Sequence, residues 1–375
     1  MLLKRLSDVR QKNIETGKWF KLKMKPLKPL NITYLISSWV SISMIFIIGE
    51  VVTRFGVFSS LVIVSAFLLA FAVFFALQRS SFRLKKSSLL GKCITTIRFL
   101  EIYILHLFIC GLVFHTAFNV NIYISVFSTS FILFICAIYL PKGKKFRQSI
   151  KDIRFILISG LAILLPTYIY LQKGLESLYH NLLYYQPHVL NHDSRSLWLL
   201  LLIAFITFFS KLLLQQEVID KYTAQSFYKV TFKLLMAIFI YCTFILAFAT
   251  MNVVAITQNL DYSQANELFI LLVEKLSPSI IFKVFCMVLY FSTLIILIDA
   301  LPSIVNERKG KPFFSSSFMF ILVATFLTVT IFFHYSLLFI YVFFGCLISL
   351  LVIAAIIMQI ISSLQRRMSI KLKKS

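Results

Sequence analysis

Long apolar runs dominate this chain and leave it few folds. Ten stretches qualify, roughly 31–50, 57–78, 96–118, 121–140, 154–172, 196–214, 229–257, 280–300, 313–333 and 335–363. A helix of about 20 apolar residues crosses the hydrocarbon of a bilayer. Lipid offers no hydrogen-bond partners, and a helix satisfies its backbone within one segment. The chain is 59% hydrophobic and only 14% charged. A soluble domain is about half apolar and about a quarter charged. The expected fold is an all-α polytopic membrane protein with ten transmembrane helices. Residues 1–30 read as a basic cytoplasmic leader, 31–363 as one membrane domain and 364–375 as a basic cytoplasmic tail.

The formal net charge of +24 has a matching explanation. Most of the 38 lysines and arginines fall in the leader, in alternate loops and in the tail. Cytoplasmic loops carry such an excess. This places both termini in the cytoplasm of a multi-pass cell-membrane protein. Only Arg54, Lys173, Arg195 and Lys275 fall clearly on the other side, with Lys283 near the outer end of the eighth run. No basic motif with groove-reading geometry is present, so nucleic acid is not an expected partner. The bilayer is. None of the six cysteines forms a CxxC pair, and no metal site or disulfide framework is expected. GxSxG, HExxH and P-loop patterns are absent, so no enzyme is expected. The first thirty residues lack an apolar core with a small-residue cleavage site, so no cleavable signal is expected either.

Ten crossings divide into five plus five of opposite orientation. Inverted repeats of this kind build many secondary transporters. Three stretches point the same way: FITFFSKLLLQQEVIDKYTAQS (205–226), NELFILLVEKLSP (266–278) and MVLYFSTLIILID (287–299). A fourth is IGEVVTRFGVFSSLVIV (48–64). The layout resembles the LeuT-like fold of the amino acid–polyamine–organocation superfamily, and 196–302 resembles the sodium:solute symporters. The membrane subunits of spore germinant receptors share the ten-helix layout and length. The resemblance implies a substrate site beside broken core helices one and six. It also implies a sodium ion held by hydroxyls of the eighth core helix and carbonyls of the first.

On that resemblance Ser292 and Thr293 are candidate ion ligands, with Ser37, Ser38 and Ser41 as the partner stretch. The alternative is that the hydroxyls bond their own preceding carbonyls or a neighbouring helix. Asp299 is a candidate inner gate or an interfacial residue. Glu50 stands four residues before Arg54, as an outer-gate pair or as two exposed charges of little effect. Glu101 and His106 lie in the third run. Glu101 can snorkel toward Arg98. Neutral His106 can settle in the membrane with one interhelical hydrogen bond, or relay protons.

The first expectation is a secondary active transporter of a small organic solute, such as an amino acid, coupled to Na⁺ or H⁺. No cofactor is expected beyond a coupling Na⁺. The alternative is a transport-inactive sensor or receptor subunit that works with a membrane-protein partner. Helix one has only Gly49 near its outer end, and helix six has neither glycine nor proline. These departures favour the alternative.

Overall fold

The computed structural model describes residues 36, 39–78, 89–139, 144–190, 193–214, 227–258, 260, 265–306, 321–330 and 336–372. Ser37 and Ser38 lie outside the described residues, as does the leader, and Asp299 is described only as a helical position.

The described chain is helical throughout. In order come α1 (Ile42–Phe55), α2 (Ser59–Gln78), α3 (Leu89–Phe118), α4 (Ile122–Tyr139), α5 (Lys144–Lys173) and α6 (Leu175–Tyr185). A 3₁₀ turn (Pro187–Val189) leads to α7 (Ser194–Leu214), α8 (Phe227–Ile256), α9 (Leu268–Leu276) and α10 (Ser279–Asn306). Then follow α11 (Ile321–Thr330) and α12 (Leu337–Leu372). Each of the ten apolar runs overlaps one of these helices. Among the described residues, seven are long and apolar enough to cross a membrane, namely α2, α3, α5, α7, α8, α10 and α12. The described parts of α1, α4 and α11 are shorter. Large apolar side chains point outward from helix after helix, including Phe131, Ile156, Trp198, Phe239, Phe326 and Leu350. An outward apolar surface of this kind suits lipid rather than water.

The helix at the centre is α1. Every residue from Ile42 to Thr53 is buried. Most of its side chains are apolar, and the polar Ser43, Glu50 and Thr53 are buried with them. It packs on α8 and α12, and also touches α2, α3 and α9. Close approach to α8 depends on Gly49, because a Cβ there would lie 2.5 Å from Asn252 Oδ1. Asn252 is tied back by its amide to Phe248 O at 2.8 Å and cannot withdraw without losing that bond. At the α7–α12 contact Gly345 has the same role, with Thr207 Oγ1 2.7 Å from its would-be Cβ. Small residues let backbones approach where lipid supplies no hydrophobic drive between helices. Hydroxyl pairs add bonds across helices: Ser210 with Ser349 at 2.6 Å, and Ser130 with Thr325 at 2.8 Å.

Glu50 differs from the expectation of an exposed pair. Its side chain is 2% exposed, whereas that of Arg54, 2.8 Å away, is 56% exposed. The other carboxylate oxygen accepts the Leu338 N–H at 2.8 Å. Leu338 stands in the first turn of α12, where backbone N–H groups lack helical partners. A carboxylate at a helix N-terminus also meets the positive end of the dipole. Glu50 therefore caps a helix almost three hundred residues away. The i,i+4 spacing to Arg54 could not reveal this.

The stretch 266–278 forms a short helix with one buried face. Leu268, Phe269, Ile270, Leu272 and Val273 of α9 are buried, with only Glu274 and Lys275 exposed. Phe269 packs edge-on against Phe46 of α1 and Phe285 of α10. Ser277 and Pro278 make the turn into α10. The segments expected on one side of the membrane meet at one end of the bundle. Val57 N–H bonds Val189 O, Lys173 bonds the Gln258 side chain, and Lys275 bonds Gln258 O.

Glu50→Ala should lower the unfolding free energy in detergent by about 2 kcal/mol, the range for hydrogen bonds to a charged group. Arg54→Ala should cost less than about 1 kcal/mol, because that partner is solvated. Equal losses would contradict the capping role.

Candidate functional site

Helix one is broken, without a glycine or proline at the break. Ile36 and Trp39 are helical, Val40 and Ser41 are not, and helix resumes at Ile42. Ser41 is extended, with φ −94° and ψ 151°. The Val40 N–H closes the preceding turn on Ile36 O at 2.8 Å. Serine at an N-cap ordinarily bonds the second or third N–H of its helix. Ser41 does not cap α1 with its side chain. Its hydroxyl lies 3.1 Å from His106 Nε2 on α3 and 2.9 Å from Ser43 Oγ.

The imidazole is fixed from both sides. His106 Nδ1 lies 2.7 Å from Ile102 O, a carbonyl that can only accept, so Nδ1 carries a proton. Nε2 then accepts from Ser41 when the ring is neutral and donates to it when the ring is charged. Ser41 can turn its hydroxyl to suit either state. This is the interhelical hydrogen bond expected of a membrane histidine, and its partner sits at the helix break.

A cavity of about 370 Å³ opens beside the break. Trp39, Val40, Ser41 and Ser43 form one wall, and His106 with Leu105 and Glu101 of α3 another. Lining residues also come from α2, α7, α8, α10 and α12. Most of the lining is apolar, with few polar groups, the usual character of a small-molecule site.

The charged groups lie on α3 and α7. Lys211 Nζ is 2.7 Å from Glu101 Oε1, and the Glu101 side chain is 3% exposed. The same ammonium stands 3.6 Å above the centre of the Tyr341 ring. Arg98 is close enough to interact with Glu101 and Lys211. Glu101 therefore does not snorkel to Arg98 alone. It turns inward and pairs across helices with Lys211 of α7. Lys211 lies inside the apolar run 196–214, and a cation within such a run is a signal in itself. Arg98, Glu101, Ile102, Leu105 and His106 share one face by the helical spacing of three and four. That spacing places the charge cluster and His106 within about two turns on the same wall.

Thr207 was not singled out by its sequence context. It lines the cavity, is 1% exposed, and its hydroxyl has no hydrogen-bond partner. Most membrane-helix threonines here bond the carbonyl four residues back, as Thr325 and Thr328 do. Thr207 does not.

Ser292 and Thr293 lie elsewhere. Both hydroxyls donate to Leu289 O, at 2.9 and 2.7 Å. Neither lines the cavity, although Ile296 of the same helix does. Thr293 instead faces the Cys110 thiol on α3. Ser41 thus joins the cavity while the pair on α10 stays apart from it. Helix α7 is unbroken from Ser194 to Leu214. Among the described residues no group of His, Cys, Asp and Glu could hold a metal ion. No protein-family model matches the chain, and no curated protein is significantly similar to it.

Lys211→Met should cost about 3–5 kcal/mol in unfolding free energy, because it leaves a buried carboxylate without its counter-ion. The double change Glu101→Gln with Lys211→Met should cost markedly less than Lys211→Met alone. A double-mutant cycle in detergent measures this, and additive losses would contradict direct pairing.

Proposed function

We propose that this chain is a ten-span membrane protein of LeuT-like, five-plus-five architecture that works as a secondary active transporter. Its cargo is a small organic solute, and both termini lie in the cytoplasm of the cell membrane. The observation that carries the reading is the broken first helix beside a cavity in the middle of the bundle. Helix breaks are tolerated where they line a cavity, because the freed backbone groups can meet a ligand or ion there.

Coupling to protons is favoured over coupling to sodium. His106 faces the cavity and can change charge while keeping both of its hydrogen bonds. The sodium reading asks Ser292 and Thr293 to meet the first helix, and neither lines the cavity beside it. Glu50, which binds the start of α12 to the central helix, is suited to an outer latch.

The second reading is a sensor subunit with a permease-like fold that acts with a membrane-protein partner. The unbroken α7 favours it, since alternating access in this architecture leans on both core helices.

The two readings differ in who can reach the cavity. Ala204 lines it and carries none of its polar groups. In a cysteine-free background, Ala204→Cys should react with a membrane-impermeant thiol reagent in both right-side-out and inverted vesicles if the protein alternates. Labelling from one face only, or from neither, sinks the transport reading.

A further inference from the structure

We infer that the cavity takes an organic anion with a compact apolar body. The inference rests on the reading that this cavity holds a ligand, and it narrows the solute class. Among the described residues lining the cavity the charged side chains are Arg98, Lys211 and Glu101. Two cations stand against one carboxylate, and that carboxylate already bonds Lys211. A charge held in a low-dielectric interior is costly unless paired. An incoming anion supplies the missing partner. An ammonium group would meet Arg98 and Lys211 as repulsion, with Glu101 engaged.

One neutral feature has the same polarity. The start of α1 is not capped by Ser41, whose side chain is turned to His106 and Ser43. The open end of a helix favours negative charge. The walls beyond these groups are apolar, with Ile47, Ile48, Leu105, Leu200 and Phe208 among them. A volume of about 370 Å³ lies at the small end of ligand sites, and two lipid acyl chains would overfill it. The chemistry is thus a carboxylate or similar head on a single ring or short chain. An amino acid zwitterion fits less well than the same body without its ammonium.

The test is equilibrium dialysis of radiolabelled phenylbutyrate against the full-length protein in phosphatidylcholine nanodiscs, with empty nanodiscs as blank. Saturable binding is expected. Unlabelled phenylbutyrate should displace the label about tenfold better than phenylbutanol, phenylbutylamine or phenylalanine, as expected for one charge-assisted contact. Arg98→Met should weaken binding about tenfold on the same ground. Glu101→Gln should tighten it, because Lys211 is then released from its counter-ion. Glu101→Gln keeps the fold testable where loss of Lys211 alone strands a buried carboxylate. No saturable binding overturns the inference. So does equal displacement by the alcohol or the amine, or tighter binding of phenylalanine. Displacement of the label by phosphatidylglycerol in the bilayer would assign the site to lipid and overturn the soluble anion. Two-sided labelling of Ala204→Cys together with absent phenylbutyrate binding would refute the anion and leave transport standing. One-sided labelling with selective binding would do the reverse.

Discussion

The structure depends on how one enclosed helix satisfies its polar groups. Helix α1 is surrounded by protein along nearly its whole length, so water cannot complete its hydrogen bonds. Its upper end is tied through Glu50 to the open N–H of Leu338. Its lower end breaks at Val40 and Ser41, where the serine reaches across to His106. Each unmet buried polar group would cost several kcal/mol in hydrocarbon. The positions of α3 and α12 around α1 are thereby fixed by specific bonds, in addition to packing.

The same constraint explains the distribution of charge. Among the described residues, Glu50, Glu101 and His106 are each held by a partner on another helix. Glu101 meets Lys211, and Lys211 also sits on the face of Tyr341, which shields its charge from the apolar surroundings. Such a pair does little for net stability, because desolvation offsets the attraction. Its retention inside an apolar bundle points to the cavity it borders. His106 is different in kind. It can accept or release a proton with both hydrogen bonds kept, so the histidine and the helix break form one polar unit beside the cavity.

The helices were legible in the sequence because their signal is local. The run 57–78 became Ser59–Gln78, and 196–214 became Ser194–Leu214. Ser277 and Pro278 separated α9 from α10. The break in helix one was not legible. Glycine and proline are the local signals of a break, because they disrupt a helix by themselves. Here a serine hydroxyl and a histidine on another helix offset the loss, and neither is a local signal. Ser292 and Thr293 donate to the carbonyl of Leu289 on their own helix and lie off the cavity, a placement that their local pattern does not reveal.

By itself, then, the amino-acid order determined an all-helical chain built for lipid, and it marked Glu50, Glu101 and His106 as residues in need of partners. The tertiary structure alone decided which partners they took. Leu338 N–H, Lys211 and Ser41 lie far from them along the chain. Pairing across helices depends on which faces meet, and apolar periodicity says which residues are buried without saying against what. The cavity follows from the same cause. Its walls come from separate helices, and no single stretch of sequence contains it.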